Sequence, residues 1–138
     1  MTDAQELLDR QDIIDVLHRL GRWLDGRGGD PTAIYDTDVV VHSPRGEIVG
    51  IDRAIEVAAP SDDPTERTQH LLSDVLVDVV GDTAVVTANQ LVRFFRPGEA
   101  PWRTSGLAVE YVMARRAEGW RMAGATMQLQ WLDGVPLP

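Results

Sequence analysis

Four long segments rich in strand-forming residues occupy the second half of the chain and limit its fold more than any other feature. They run from Thr68 to Val80, Thr83 to Phe95, Thr104 to Ala117 and Trp120 to Leu132. The sequences between them, "GD", "RPGEAPW" and "AEG", are typical of turns, and the first and last suit tight hairpins. Strands joined by short turns pair antiparallel, so the pattern predicts four antiparallel strands in chain order.

The first half of the chain carries a helical pattern. From Thr2 to Gly26 the apolar residues fall on one side of a 3.6-residue wheel, which predicts one long amphipathic helix. Thr2 or Asp3 can cap its start, and the glycines of "GRGGD" end it. The remaining elements are a short second helix at about Pro31 to Tyr35, a hairpin that turns around Pro44 to Gly46, and a third helix in "IDRAIEVAA".

Helices, a short hairpin and then four long strands predict an α+β fold. Because a chain of 138 residues suits one domain, we expect a single domain over residues 1–138. A strongly curved sheet that wraps around the long helix leaves a cone-shaped cavity, which can hold a small and mostly apolar ligand. Since "VLVDVV" and "LAVEYVMA" carry apolar residues on both faces, we expect the outer face of the sheet to form a homodimer.

The charge and composition of the chain argue against several classes of function. A net charge of −9 without a basic stripe argues against a nucleic-acid partner. The chain contains no cysteine, which excludes disulfides, thiolate metal sites and cysteine nucleophiles. No apolar run resembles a signal core or is long enough to span a bilayer, so we expect a cytoplasmic protein without membrane contact.

Three segments of the chain carry a family resemblance: "RLGRWLDGRGGDPTAIYDTDVVVHSPRGEIVGIDRAI", "RTQHLLSDVLVDVVGDTAVVTA" and "EGWRMAG". They resemble the SnoaL-like branch of the nuclear transport factor two superfamily, which includes scytalone dehydratase-like proteins, polyketide cyclases and ketosteroid isomerase-like enzymes. The resemblance covers about Asp9 to Trp131. It implies a cystatin-like α+β barrel, in which a cone-shaped, curved, mixed sheet packs on a long N-terminal helix and two shorter helices.

The resemblance also implies a pocket pair, formed by Asp25 at the end of the first helix and His70 in a Thr-x-His segment. In the family's dehydratases the histidine is general base or acid, and the aspartate orients it or shares its proton. Strict alternation, however, places His70 on the same strand face as Asp74 and Asp78, which should face water. A His70 that faces the cavity therefore requires a β-bulge, which we expect between Leu71 and Asp74. The alternative is that Asp25 ends the helix in solvent and His70 is a surface histidine.

Other residues depart from the family's catalytic patterns. Leu24 stands where the scytalone dehydratase pattern has a tyrosine, and Asn89 is the best match for its second histidine. Ser43 stands where ketosteroid isomerases have an acidic base, with His42 beside it. We expect the substrate-binding groups to be Asn89, Tyr35, Ser43, His42 and Trp131.

Two further kinds of site have weak support in the sequence. Asp25, His42 and His70 are the only plausible metal triad, but they lack close ligand spacing, so no metal is expected. An epoxide hydrolase-like Asp-Arg-Asp set would need a buried arginine and a second aspartate, for which the sequence offers no convincing candidates.

The patterns favour a cofactor-independent pocket enzyme that performs proton-transfer chemistry. The reaction would be dehydration, isomerisation or cyclisation of a small apolar cyclic substrate such as a polyketide, steroid or terpenoid. His70 would be the base or acid and Asp25 its partner, with Asn89, Ser43 and Tyr35 as positioning groups. The missing tyrosine and second histidine leave open a non-catalytic ligand-binding or dimerisation domain on the same scaffold, or an epoxide hydrolase-like enzyme.

Overall fold

The computed structural model describes residues 3–135. Helix α1 spans Ala4–Leu24, a single 3-10 turn spans Pro31–Ala33, and helix α2 spans Ile51–Ala58. The strands are β1 (Tyr35–Ser43), β2 (Gly46–Val49), β3 (Arg67–Val80), β4 (Thr83–Phe95), β5 (Arg103–Arg116) and β6 (Gly119–Gly134). The expected elements are present, except that the second helix is only the 3-10 turn and Tyr35 already begins β1.

All six strands form one mixed sheet in the order β2-β1-β6-β5-β4-β3. Neighbouring strands are antiparallel except β1 and β6, which are parallel. The predicted antiparallel pairing of the four long strands in chain order is confirmed. Because β3 forms one edge of the sheet and α1 packs across it, the carboxyl end of α1 meets the start of β3.

The long helix covers the inner face of the sheet with its apolar stripe. The N-cap residue of this helix is Asp3, whose side chain accepts a 2.8 Å hydrogen bond from the Glu6 backbone N–H. Thr2, the alternative predicted cap, lies outside the described residues. The stripe buries Ile13, Val16, Leu17, Leu20 and Trp23 in one core with inward-facing residues of the strands. No helix in the described part of the chain is long and apolar enough to cross a membrane.

A β-bulge in β3 determines which way His70 faces. Asp74 and Val75 together stand opposite Ala88 alone, so the register with β4 shifts at this point. Asp74 adopts a φ of 54°, in the left-handed region that aspartate tolerates better than most residues. The extra residue reverses the alternation, and apolar residues on both sides of the bulge contact the same core. The required bulge is therefore present, at Asp74 and Val75, which is at the end of the predicted interval between Leu71 and Asp74.

Candidate active site

Asp25 caps the carboxyl end of α1, and its carboxylate contacts β3. Its backbone N–H donates to the Gly21 carbonyl at 3.0 Å. Oδ1 accepts hydrogen bonds from the Thr68 hydroxyl at 3.0 Å and from His70 Nδ1 at 2.6 Å, and Oδ2 accepts one from the His70 backbone N–H at 3.0 Å. Asp25 is only 8% exposed, so these donors replace the water that a buried carboxylate loses.

The imidazole of His70 is largely buried, with 15% of its side chain exposed. Because an ionised carboxylate can only accept hydrogen bonds, Nδ1 carries the hydrogen in the contact with Asp25. In a neutral imidazole Nε2 then has a free lone pair, which is the state that a general base requires. Gly21 of α1 lies beside this residue, where an added Cβ would make an ordinary contact 3.9 Å from the His70 Cβ. The structure thus brings the predicted pair together.

A pocket of about 240 Å³ opens beside the pair, between α1 and the strands. Leu17, Leu20 and Leu72 form its apolar lining, and Gln90 and Tyr111 add buried polar groups. Burial raises the pKa of the Tyr111 phenol well above its usual range, so the hydroxyl stays protonated and can donate a hydrogen bond. Drug-sized ligands usually occupy pockets of about 300–1,000 Å³, so this one suits a smaller molecule.

Asn89 was predicted to bind the substrate, but it does not lie in this pocket. The next residue in the chain, Gln90, lies there instead. Asn89 lies on the outer face of the sheet, where its amide donates a 2.8 Å hydrogen bond to Asp74. There it lines a larger, open hollow of about 430 Å³ that contains no histidine. Successive strand residues face opposite sides, so Gln90, which is 6% exposed, lines the His70 pocket instead. The alternation of small apolar residues in "AVVTANQ" is the signal that places Gln90 inside.

Tyr35 and Trp131 also lie outside the pocket. Tyr35 is buried in the core against Trp23, with ring centroids 6.1 Å apart and the rings nearly perpendicular. Burial raises the pKa of Tyr35 to about 12. Trp131 is 49% exposed and covers Gly106, which leaves no room for a side chain beneath the indole. A bulge in β6 just before Trp131 puts the indole opposite Gly106 on the outer face.

His42 and Ser43 lie on the β1–β2 hairpin, at the opposite edge of the sheet from His70. The Ser43 hydroxyl donates to the Gly46 carbonyl at 3.1 Å, and His42 Nδ1 lies 3.3 Å from a Glu47 carboxylate oxygen. Neither side chain lines the pocket. The considered metal set of Asp25, His42 and His70 is therefore not assembled, and within residues 3–135 no other group of three such side chains could hold a metal ion.

Comparison with known proteins gives the family of this chain. The sequence model of the SnoaL-like domain matches residues 5–126. The chain belongs to the SnoaL-like domain family. The matched range includes Asp25 and His70. Among curated protein sequences, no significant match was found.

Solved structures of several other proteins share the fold. The Kfla4162 protein of Kribbella flavida is 18% identical, with a TM-score of 0.80 and 95% of each chain covered. The hexachlorocyclohexane dehydrochlorinase LinA, type 2, is 16% identical, with a TM-score of 0.76, covering 98% of this chain and 94% of its own. A candidate scytalone dehydratase from Novosphingobium aromaticivorans is 16% identical, with a TM-score of 0.79, covering 96% of this chain and 91% of its own.

A nuclear transport factor 2-like superfamily protein from Salmonella enterica is 18% identical, with a TM-score of 0.75, covering 96% of this chain and 98% of its own. At these identities the likeness concerns the fold. It confirms the predicted cystatin-like α+β architecture of this superfamily, in which a curved mixed sheet packs on a long N-terminal helix.

Proposed function

We propose that this SnoaL-like protein is an enzyme that moves a proton on a small cyclic substrate, with His70 as the general base. The observation that carries the proposal is the 2.6 Å contact between His70 Nδ1 and Asp25 Oδ1. Asp25 is in turn held by Thr68 and by the His70 backbone, so its carboxylate keeps one orientation. Such a contact keeps the imidazole in one tautomer and leaves Nε2 available for the substrate.

The proposed reaction begins when Nε2 of His70 removes a proton from a carbon next to an electron-withdrawing group. The imidazole becomes a cation, and the Asp25 carboxylate stabilises that cation across the 2.6 Å contact. The proton then returns to a different atom of the substrate, or a neighbouring leaving group departs with the electron pair. The first outcome is an isomerisation and the second an elimination, and neither step needs a cofactor.

Two further groups in the pocket support this chemistry. The Tyr111 hydroxyl stays protonated because burial raises its pKa, so it can donate to an oxygen that gains negative charge. The Gln90 side chain can donate in the same way from β4. Leu17, Leu20 and Leu72 offer the substrate an apolar surface, which supports a cyclic and mostly hydrocarbon body.

The names of two similar structures agree with this class of reaction. One is a candidate scytalone dehydratase and another a hexachlorocyclohexane dehydrochlorinase, names that describe the loss of water and of hydrogen chloride. Because one scaffold hosts many chemistries, these names support the reaction class and leave the substrate open. The proposal for this chain rests on its own histidine–aspartate pair.

Exchange of carbon-bound hydrogen tests the proposal without knowledge of the natural substrate. Cyclohexanone and cyclohexenone are incubated with the protein in D₂O, and loss of the proton signals next to the carbonyl is followed by NMR. The wild-type protein should accelerate exchange over buffer. His70→Ala should lower the protein-catalysed rate about a hundredfold, the effect of losing a positioned acid–base group. Asp25→Asn should also slow exchange, because it disturbs the imidazole tautomer.

His42→Ala is the matched control, since His42 is a histidine on the hairpin outside the pocket. It should exchange ketone hydrogens at the wild-type rate. If wild type, His70→Ala and His42→Ala were all equally active, His70 would not be the base. If wild type showed no catalysis with ketones that it binds, the alternative of a non-catalytic binding domain would be favoured.

A further inference from the structure

The mouth of the His70 pocket carries positive charge, although the protein as a whole has a net charge of −9. Arg22 and Arg27 line the pocket at its exposed end, together with His18. Arg67 adjoins it, and its guanidinium donates a 3.4 Å hydrogen bond to the backbone carbonyl of Asp25. None of these arginines forms an ion pair with an acidic side chain within the described residues.

The carboxylate of Asp25 is the one acidic side chain of the pocket lining, and its oxygens are already occupied. Thr68, the His70 imidazole and the His70 backbone N–H donate to it from β3. It is only 8% exposed, whereas Arg22 and Arg27 are exposed. A ligand that enters the pocket therefore meets the guanidinium groups before it meets a negative charge.

Behind this cationic mouth the pocket lining includes buried apolar and aromatic side chains. Leu17 and Leu20 are 4% and 6% exposed, and Tyr111 is 3% exposed. Gln90 is also buried, with 6% of its surface exposed. One end of the pocket thus suits a hydrocarbon and the other an anion. Guanidinium groups bind planar carboxylates with two parallel hydrogen bonds, which favours that anion.

We propose that the ligand of this pocket is a small cyclic carboxylate. Its hydrocarbon ring lies against Leu17 and Leu20, and its carboxylate lies at Arg22 and Arg27. This inference rests on the proposed function, because it concerns the same pocket, and it narrows the substrate from an apolar molecule to an organic anion. The competing explanation is that Arg22, in the last turn of α1, only complements the helix dipole.

Binding of a matched pair of compounds separates the two explanations. Cyclohexanecarboxylate and the neutral cyclohexanecarboxamide have nearly the same shape, and their dissociation constants are measured by NMR titration at low salt. The wild-type protein should bind the carboxylate about tenfold more tightly or better, and added salt should reduce this preference. Cyclohexyl phosphate forms a third arm, and tighter binding of the phosphate than of the carboxylate would overturn the assignment to carboxylates.

Two double variants with equal loss of charge provide the control. Arg22→Gln/Arg27→Gln should bind both compounds with equal affinity. Arg45→Gln/Arg53→Gln removes two exposed arginines outside the pocket and should keep the wild-type preference. The proposal would be overturned if the wild type bound the two compounds with equal affinity, or if Arg22→Gln/Arg27→Gln kept the preference for the carboxylate. It would also be overturned if the wild type bound neither compound at millimolar ligand concentration. Retained dispersion of the amide spectrum shows that each variant is folded.

The same titration with His70→Ala distinguishes this inference from the proposed function. The carboxylate preference should persist in that variant, because Arg22 and Arg27 are unchanged. Hydrogen exchange that depends on His70 without any carboxylate preference would overturn the anion site and leave the catalytic proposal standing. A carboxylate preference without hydrogen exchange would overturn the catalytic proposal and leave the anion site standing.

Discussion

The Thr68 hydroxyl donates a 3.0 Å hydrogen bond to Oδ1 of Asp25, the same oxygen that contacts His70 Nδ1. The hydroxyl also lies 3.4 Å from the Leu24 carbonyl, a longer and weaker alternative. A carboxylate held by Thr68 from one side and by the His70 backbone from another cannot rotate freely. We therefore expect Thr68 to position the imidazole through Asp25.

Thr68→Val should weaken this arrangement without changing the shape of the side chain. We expect a roughly tenfold lower rate of ketone hydrogen exchange, because one hydrogen bond to a charged group contributes about 1.5 kcal/mol. The ¹⁵N spectrum of His70 should also show a second tautomer. Thr87→Val, on the exposed outer face of β4, should change neither quantity. An unaltered exchange rate and a single tautomer in Thr68→Val would show that the orientation of the Asp25 carboxylate does not depend on Thr68.

Gln90 and Asn89 allow a similar test of the pocket wall. Gln90→Leu keeps most of the side-chain volume and removes the amide that faces the pocket. It should slow ketone exchange about tenfold or more, since loss of a donor to a developing oxyanion is costly. Asn89→Leu removes the same group from the outer face and should leave the rate unchanged. Equal exchange rates in the two variants would show that the carbonyl of the ketone binds in another part of the pocket, away from Gln90.

Local periodicity was sufficient to predict most of the fold. The 3.6-residue pattern of α1 and the two-residue pattern of the long strands depend on local sequence, and the glycine-containing turns separate them. The contact between Asp25 and His70 joins residues 45 positions apart, and no local pattern determines such a contact. Its prediction depended on the family resemblance, whereas the residue pattern alone left His70 facing water.

The face that a strand residue occupies was harder to predict, because alternation is sensitive to a single inserted residue. A bulge at Asp74 turns His70 inward, and a bulge just before Trp131 puts the indole on the outer face. Asn89 was placed in the pocket by analogy with a histidine in other enzymes, although the alternation of β4 favours Gln90. Bulge positions depend on pairing with a neighbouring strand, so the sequence indicates that one is needed more readily than where it lies.

The free energy of unfolding should depend on a partly buried ion pair between Asp9, near the amino end of α1, and Arg115 of β5. Arg115 donates two hydrogen bonds to Asp9, of 2.7 and 2.8 Å, and Trp120 and Gln5 donate at 3.3 and 3.1 Å. The Arg115 guanidinium holds the pKa of Asp9 well below its usual range, although burial acts in the opposite direction. The folded state therefore favours the ionised carboxylate more strongly than the unfolded state does.

Asp9→Asn should lower the free energy of unfolding at neutral pH by about 2 kcal/mol, as measured by urea denaturation. Because the pKa of Asp9 is lower in the folded state, its contribution is present above the unfolded value of about 3.9 and is lost as the pH falls below it. The difference between wild type and Asp9→Asn should therefore narrow below about pH 4. Asp36→Asn, which removes a more exposed pair with Arg116, should cost less. A constant difference at all pH values would contradict the ion-pair explanation.

The two tyrosines of the chain give a prediction at alkaline pH. Burial raises the pKa of Tyr35 to about 12 and that of Tyr111 still further. The folded protein should therefore show little tyrosinate absorbance at about pH 10, where both tyrosines ionise in the urea-unfolded chain. Since the unfolded state loses these protons first, the free energy of unfolding should decrease as the pH rises above about 10. Half-ionised tyrosines near pH 10 in the folded protein would show that the phenols are accessible to solvent.

The outer face of the sheet exposes apolar side chains that a second copy of the chain could cover. Leu76, Val85 and Val112 are 72%, 42% and 39% exposed, and the two valines are cross-strand partners on β4 and β5. Exposed apolar patches on a protein surface often mark protein–protein interfaces. We therefore predict that the protein is a homodimer through this face, so sedimentation at micromolar concentration should give twice the mass of the chain.

Val85→Glu should shift the protein to monomers, because a charge in the centre of the proposed interface would lose its water on association. Val57→Glu is the matched control: Val57 is 45% exposed, but it lies on helix α2 and not on a strand of the sheet. That variant should sediment like the wild type. A monomeric wild type, or a Val85→Glu variant that remains dimeric, would contradict pairing through this face. Equal shifts in both variants would point to a general effect of added negative charge on a chain that already carries −9.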